Sequence, residues 1–547
     1  MEALASESGG RPGRDPAIRP LVFVGFMGAG KSSAARAAAA ELGAEPLDSD
    51  RELEHELGEP IEDFFDREGE AAFREREQAV VLELLERPAS PVVSLGGGAV
   101  KSDRVRAQLE QYVCVHVDVP AQLAWERARD SGRPLARDQA AFERLHAERL
   151  PLYRSLARAV VPARPDGVPG PALDAAIALL DEQVPDTITL TWATTEGGGY
   201  PVFSGFGALD ASGSLWPIRE RCFAVADASV QELHGSRLER ALSSGPGIEH
   251  TVTFSPGEQQ KTLAEAERVL RELASEGMER SDALVALGGG VAGDLAGFCA
   301  AVYQRGVSYV QVPTTLVAQV DSAYGGKTGV DLPEAKNYAG AFHQPTAVFT
   351  DPGVLETLPQ QERRAGFAEV VKTGLIAGGA LWDIVRALDP IDHVLERDGD
   401  ALRAVIEGCL RTKLAVVAAD EHDVGERASL NLGHTFAHAL EAATGYASYS
   451  HGEAVAIGLL VALRLSDREL GLDPSVRAET AELLDRHGLP RAFSGPSTDE
   501  LLARAALDKK RQAGRANMVL LRAPGDVAIR VDVSADALRA AIEEARE

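Results

Sequence analysis

Short apolar runs that end in glycine recur along the first two thirds of this chain. LVFV at 21–24 passes through glycines into an alanine-rich stretch, which predicts a buried strand, a turn and a helix. SLGGGAV at 94–100 closes a second strand, and RCFAVADASV reads as a strand ending in Asp227. ALVALGGGVAGDLAGFCAAVY is again strand, glycine-rich turn and helix. From about residue 353 the pattern turns mostly helical. LDAAIALLDE, among prolines and glycines, predicts a helix closing the first part. These shifts divide the chain into a tail (1–19), a first domain (20–182), a linker (183–187), an α/β domain (188–352) and a mostly helical domain (353–547). The two GGG runs have unlike flanks, so no internal repeat is read.

Length agrees, since 547 residues exceed one ordinary domain. With 45% hydrophobic and 25% charged residues the composition is that of a globular protein. The net charge of -27 argues against wrapping a nucleic-acid backbone but leaves room for anionic small molecules at local Lys and Arg clusters. Four scattered cysteines with no CxxC pair fit a reducing, cytoplasmic setting. No apolar run is long enough for a bilayer, and the first twenty residues lack a signal-peptide core.

GFMGAGKS at 25–32 matches G-x-x-x-x-G-K-S between a predicted strand and helix. In such a loop Gly28, Ala29, Gly30, Lys31, Ser32 and Ser33 would cradle ATP, with Lys31 on the β- and γ-phosphates and Ser32 on Mg²⁺. Asp48 is placed to reach the metal shell through water and Asp50 a substrate hydroxyl. Arg74 stands in FRERE, Gly97 in the second glycine loop, Arg133 in an Arg-rich lid segment and Arg149 in RLPLYR. This ordered set resembles shikimate kinase, of the nucleoside monophosphate kinase-like P-loop fold, over 20–182. The resemblance implies that Asp50, Arg74, Gly97 and Arg149 hold shikimate, with both arginines on its carboxylate. It further implies that Asp50 orients the 3-hydroxyl, that Arg133 reaches the phosphates, and that Arg127 stacks on adenine.

RASLNLGHTFAHALEAATGYASYSHGE at 427–453 carries the second chemistry. His434 and His438, four apart, share a helical face, and Asn431 lies one turn earlier on it. Gly445 and Tyr446 break the pattern, and His451 opens a new apolar run. A helix, a turn and a helix folding back would bring His451 near the pair and suit a zinc-type cation, with a carboxylate from elsewhere. On this stretch alone a helix with two solvated histidines remains the alternative. Gly288, Gly290 and Gly293 satisfy G-x-G-x-x-G, and Asp227 suits a ribose hydroxyl. No acidic residue follows the glycines at the usual spacing of about 20.

Glu258-x-x-Lys261, GGGVAGDLAGF, VPTTLVAQVDSAYGGKTGVD, KNYAGAF, GFAEVVKTG, NLGHTFAHALEA and SHGEAVAIG together resemble 3-dehydroquinate synthase over 188–547. That family joins a Rossmann-like NAD-binding α/β domain to a helical metal-binding domain. The resemblance implies Zn or Co on Glu369, His434 and His451, which moves His438 from the metal to the substrate phosphate. It places Asp227, Glu258, Lys261, Gly289, Gly290, Val291, Asp294, Thr314, Thr315, Asp321 and Lys336 on NAD. Asp321, Lys327, Asn337, Lys372, Lys413, Arg427, Asn431, His438 and one of Lys509 and Lys510 fall on the heptulosonate phosphate. Asp321, Lys327, Lys372, Arg427 and His438 would be catalytic, as would Lys31, Asp50 and Arg133 in the first domain. The implied chemistry is transient oxidation of a ring hydroxyl by NAD⁺, loss of phosphate, reduction, ring opening and aldol closure, with NAD regenerated. Departures are Asp423 where Glu is common, Tyr324 for a smaller residue, Ala335 for Gly, and AGG at 377–379 without an acidic neighbour. A homodimer through the synthase half is expected. Rival readings are another sugar-phosphate cyclase or a polyol dehydrogenase in the second half, or one half that only stabilises the other.

The expected reactions are not consecutive: a dehydration and a ketone reduction separate 3-dehydroquinate from shikimate, and no segment is left for them. Direct hand-over is chemically blocked, and the Pro- and Gly-bearing join suggests two folding units, so fragments 1–184 and 185–547 are each expected to fold. Each should keep kcat/KM within about threefold of the whole chain, roughly 0.7 kcal/mol. An insoluble or far slower fragment in steady-state kinetics would show mutual support instead.

Overall fold

The computed structural model describes residues 20–86, 91–129, 138–446, 448–505 and 515–547; the tail 1–19, Arg133, Lys509 and Lys510 lie outside the described residues. The chain divides into two compact units, with the boundary between Glu182 and Gln183.

In the first unit five strands, β1 (Leu21–Val24), β2 (Leu47–Asp48), β3 (Val92–Ser94), β4 (Val113–Asp118) and β5 (Ala159–Pro162), run in the order β2-β3-β1-β4-β5. Every pairing among them is parallel. Helices cover a parallel sheet on both faces, which is why LVFV is apolar at all four positions and buried at all four. The P-loop leaves the carboxyl end of the central β1, where open α/β sheets bind ligands. Asp48 closes β2 and caps the helix Ser49–Leu57, and Asp50 stands in that helix's first turn.

In the second unit β6 (Thr189–Ala193) and β7 (Tyr200–Ser204) pair antiparallel. Beyond them β8 (Cys222–Asp227), β9 (Ile248–Phe254), β10 (Ala283–Gly288), β11 (Ser308–Pro313) and β14 (Ala347–Thr350) continue in the order β7-β14-β11-β10-β8-β9, all parallel. The hairpin β12 (Lys327–Leu332) and β13 (Ala335–Phe342) stands apart as a two-stranded sheet. Helices Gln360–Ala377, Gly399–Ala419, His434–Ala443 and His451–Leu470 then build one large apolar core. A second hairpin, β15 (Arg515–Ala523) with β16 (Asp526–Ser534), interrupts the stretch expected to be mostly helical. Its Met518, Val519, Leu520, Leu521 and Val533 join that same core. No helix of the described residues is long and apolar enough to cross a membrane. All four cysteines are free and buried.

Two glycines set how closely the helices pack. A Cβ on Gly452 would lie 1.9 Å from the carbonyl oxygen of Ala365, and one on Gly458 would lie 2.2 Å from that of Gly433. The obstructing atoms are backbone, which moves only if a helix moves. Helix propensity alone favours alanine over glycine by ~1 kcal/mol. Overpacking at a fixed crossing costs ~1–3 kcal/mol. Gly452→Ala is therefore expected to lower the denaturant midpoint of the synthase unit, and a raised midpoint would show that the crossing yields.

Candidate active sites

In the first unit Gly28 (φ 78°) and Gly30 (φ 90°) hold the left-handed conformations that turn backbone N–H groups inward. A Cβ on Gly28 would meet the Ala124 carbonyl oxygen at 2.6 Å, so the loop is fitted against its neighbour. Lys31 opens the helix Lys31–Glu41, and its ammonium donates to the Phe26 carbonyl at 3.2 Å, lying along the loop it would serve. Ser32 Oγ stands 3.4 Å from Ser94 Oγ, and Asp48 accepts from the Asp50 amide at 3.1 Å. Arg127 donates to the Gly28 carbonyl at 3.0 Å and to that of Pro165 at 3.3 Å, beside the phosphate loop.

The second glycine loop is where the other named residues converge. A Cβ on Gly96 would lie 2.5 Å from Asp50 Oδ1, and one on Gly98 would overlap Arg74. Arg149, only 3% exposed, donates to the Gly97 carbonyl at 3.4 Å. Its Nε is buried with no acceptor, which marks capacity for an incoming anion. Two residues that sequence reasoning missed complete the wall. Glu77 accepts from Arg74 at 2.5 Å, and burial raises its carboxyl pKa against that arginine. Tyr153 donates to the Gly97 carbonyl at 2.6 Å. FRERE held the clue for Glu77: it lies three residues past Arg74, on the same helical face.

In the second unit His434 begins its helix because Gly433 sits left-handed (φ 79°), so Asn431 ends a separate short helix, Glu426–Asn431, rather than lying one turn earlier on the same one. His451 begins the next because Ser450 and Glu453 form a capping box, legible as S-x-x-E but passed over. Glu369 comes from the helix Gln360–Ala377. One ligand atom each from Glu369, His434 and His451 lies within 4.8 Å of the others. Both Nε2 atoms face Glu369 Oε1, at 3.4 Å from His434 and 3.2 Å from His451. The opposite nitrogens are tied back, His434 Nδ1 to the Leu432 carbonyl at 3.2 Å and His451 Nδ1 to Glu441 at 3.4 Å. That pattern holds Nε2 as the free donor, as metal-binding histidines need. His438 is exposed, its ring 5.5 Å from that of His434 and outside the triad. Glu441 is the partner sequence reasoning missed.

A chain of charges leads from this triad in two directions. Lys372, 1% exposed, reaches Glu369 at 2.5 Å and Asp321 at 2.7 Å, and Lys413 pairs with Asp321 from the other side. Burial pushes Asp321 up, but Lys372 and Lys413 outweigh it and hold the carboxyl at about 2. Glu369 likewise lies well below its usual range, burial being overcome by Lys372 and His434. Burial lowers His434, favouring the neutral imidazole. In the other direction Glu441 meets Lys336 at 3.4 Å, and Lys336 reaches Glu258 at 3.5 Å and lies over the ring of Tyr446.

At the carboxyl end of β10 a Cβ on Gly289 would strike Thr315 at 2.7 Å, and Gly290 opens the helix Gly290–Val302, whose first turn holds Val291. Thr314 Oγ1 and Ser322 Oγ are buried there with no hydrogen-bond partner among the described residues. Asp227, at the end of the adjacent β8, accepts from Ser229. Lys261 joins Asp294 at 2.6 Å and Asn337 at 2.5 Å, so Asn337 faces the Lys261 side and does not join the Lys372 cluster. Arg427 is buried, donating to the Gly325 and Glu421 carbonyls, and Lys327 pairs with Asp423 at 2.5 Å. Asp423 adopts φ 58°, a conformation aspartate tolerates. Tyr324 is structural, its hydroxyl 2.8 Å from both the Gln319 carbonyl and Thr350.

A P-loop α/β unit followed by a parallel α/β unit with a two-histidine, one-carboxylate triad defines a chain with two active sites. The family description "Shikimate kinase" matches residues 27–167, "3-dehydroquinate synthase N-terminal" 251–365 and "3-dehydroquinate synthase C-terminal" 366–511. The chain is 46% identical to the 3-dehydroquinate synthase of Halorhodospira halophila, over 65% of this chain and 99% of that one. It is 44% identical to that of Caulobacter vibrioides, over 63% and 95%. Among solved structures it is similar to 2-epi-5-epi-valiolone synthase from Streptomyces hygroscopicus, a protein with NAD⁺ and Zn²⁺ bound, at 27% identity, TM-score 0.59, over 64% and 98%. The chain belongs to the 3-dehydroquinate synthase family and carries a shikimate kinase domain ahead of it, which makes it a bifunctional enzyme of the shikimate pathway.

Lys372, itself buried, is the shared counter-ion of the buried Glu369 and the half-buried Asp321. Breaking a buried pair by removing one partner costs ~3–5 kcal/mol. Lys372→Met is expected to destabilise the synthase unit by about that amount in urea unfolding, and an unchanged midpoint would mean that Lys413 and the histidines suffice.

Proposed function

We propose that the first unit transfers the γ-phosphoryl group of ATP to the 3-hydroxyl of shikimate. The observation that carries this is the convergence of Asp50, Arg74 and Arg149 on the second glycine loop. Arg74 and Arg149 take the carboxylate, and Asp50 accepts the hydroxyl proton. Lys31 lies along the triphosphate, while Ser32, with Asp48 through water, holds Mg²⁺. Ser94, beside Ser32, belongs to the same shell.

The second unit converts 3-deoxy-D-arabino-heptulosonate 7-phosphate to 3-dehydroquinate and phosphate. Here the carrying observation is the run Lys413–Asp321–Lys372–Glu369, which places two lysines within reach of the triad. The donor set of one carboxylate and two imidazoles fits Zn²⁺ or Co²⁺ on Glu369, His434 and His451. The cradle at Gly289 and Gly290, with unpartnered Thr314 and Ser322, fits the pyrophosphate of NAD. Asp227 meets a ribose hydroxyl, and Glu258, Lys261, Asp294 and Lys336 border the same cofactor. When bound, NAD would take up and return a hydride and the cation would polarise the oxygen at the reacting carbon. The chain's own residues bind and orient: Lys327, Lys413, Arg427, Asn431 and His438 hold the acidic substrate, and Asn337 borders it. Asp321, its charge fixed by two lysines, keeps the Lys372 ammonium aimed at the substrate side of Glu369. The enzyme works in the cytoplasm as a homodimer through its synthase half, a setting that four buried free thiols suit. Phosphate release from the heptulosonate and shikimate-dependent ADP formation, measured on one purified sample with its metal content, test both activities.

Lys31→Ala is expected to abolish phosphorylation while leaving the synthase reaction near its full rate. Retention of more than about a tenth of kinase kcat is incompatible with an electrostatic role worth several kcal/mol. His434→Ala should lose the divalent cation and 3-dehydroquinate formation and keep NAD affinity, because a site with three protein ligands does not easily lose one. Stoichiometric zinc in that variant would move the ligand role to His438.

A further inference from the structure

A pocket that shares no residue with either site lies between the helices His451–Leu470 and Pro474–Arg486. Its volume is about 350 Å³, and it is lined by Leu460, Arg464, Arg477, Ala478, Ala481 and Arg491. Three arginines therefore line this space together with leucine and alanine. In a chain with 83 acidic and 56 basic residues, an arginine should find a carboxylate easily.

Arg477 finds none: among the described residues no hydrogen bond or ion pair engages its guanidinium, and its Nε is buried without an acceptor. Arg464 is held in place by Glu544, whose backbone oxygen accepts from Nη2 at 3.2 Å. Its Nε and Nη1 are nevertheless buried with no hydrogen-bond acceptor, the Glu544 carboxylate standing off at 3.8 Å. Arg491 has only a surface pair with Asp485 at 3.4 Å, both side chains more than half exposed. Burial and the nearby Arg477 push the Arg464 pKa below its usual value. Unsatisfied buried donors and mutual repulsion both destabilise the empty arrangement, and an anion relieves both.

We propose that this pocket is a binding site for a small organic carboxylate. Arg464 and Arg477 meet the carboxylate, a planar acceptor suited to guanidinium forks. Leu460, Ala478 and Ala481 cover the apolar body. The space falls within the range of small-ligand pockets, ~300–1,000 Å³, and is larger than a bare inorganic anion needs. Arg464 lies thirteen residues beyond His451 on one helix, about 20 Å along its axis, so a ligand here does not compete with substrate at the triad.

The test uses the full chain and three probes: phenylacetate, its neutral analogue phenylacetamide, and inorganic phosphate. Calorimetric titration is run with shikimate saturating, so that the kinase carboxylate site is filled. Phenylacetate is expected to bind saturably, phenylacetamide not at all, and phosphate at least about tenfold more weakly for want of an apolar body. Arg477→Leu should weaken phenylacetate by about tenfold or more while both enzyme activities persist. Arg477→Glu, which sets a carboxylate beside Arg464, should abolish binding and raise the melting temperature. The proposal is overturned by phenylacetate that fails to saturate at about 20 mM, a concentration far above specific small-ligand Kd values. Equal binding of the amide, or unchanged affinity in Arg477→Leu, overturns it as well. So does an oligomer that dissociates on Arg477→Glu without any ligand binding, since a second copy then fills the pocket.

Discussion

Two carboxylates, the buried Glu369 and the half-buried Asp321, flank one ammonium, that of Lys372. Placing charge where water is excluded is costly unless each charge is matched. Here the matching fixes geometry: Asp321 belongs to the α/β part, Glu369 and Lys372 to one helix, and Lys413 to another. The ion network therefore ties the α/β part to the helical bundle beside the Glu369, His434 and His451 cluster. Glu369 cannot turn away from the histidines without abandoning Lys372.

The network has its effect only because the helices approach closely. Gly452 and Gly458 let the helix carrying His451 press on the backbone of its neighbours, and Gly433 turns the chain so that His434 starts a helix facing it. Glu441, nearly two turns after His434, then reaches across to His451. A ten-residue helix thus supplies one imidazole of the triad and the carboxylate that holds the other. Lys336 lies between Glu441 and Glu258, so one ammonium links the histidine cluster to the Glu258 loop.

Much of this was legible in the sequence, for reasons that differ by element. LVFV and ALVALG are apolar throughout because parallel strands are covered on both faces, and the glycine loops follow them in register with the fold. Glu369, His434 and His451 were grouped by resemblance, since a spacing of four fits His434 and His438 as well as it fits any ligand pair. What separates those two is where the helix begins, and a left-handed Gly433 leaves no mark in periodicity. Glu77, Tyr153 and Glu441 were missed because their roles depend on partners supplied by other segments. The hairpin at 515–534 was missed because Met518, Val519 and Leu520 run on without alternation, which reads equally well as helix or strand.

The burial of every cysteine has a practical corollary. Cys114 lies in the kinase sheet, and Cys222, Cys299 and Cys409 lie in the synthase half. Burial pushes the thiols of Cys114, Cys222 and Cys299 up to about 12 and Cys409 higher still, so thiolate is scarce at neutral pH. Buried, protonated thiols are poor targets for alkylating reagents, so each sulfur is expected to react only when its own surroundings open. The molecule carries four built-in clocks for local opening, one timing the phosphotransferase and three timing the cyclase.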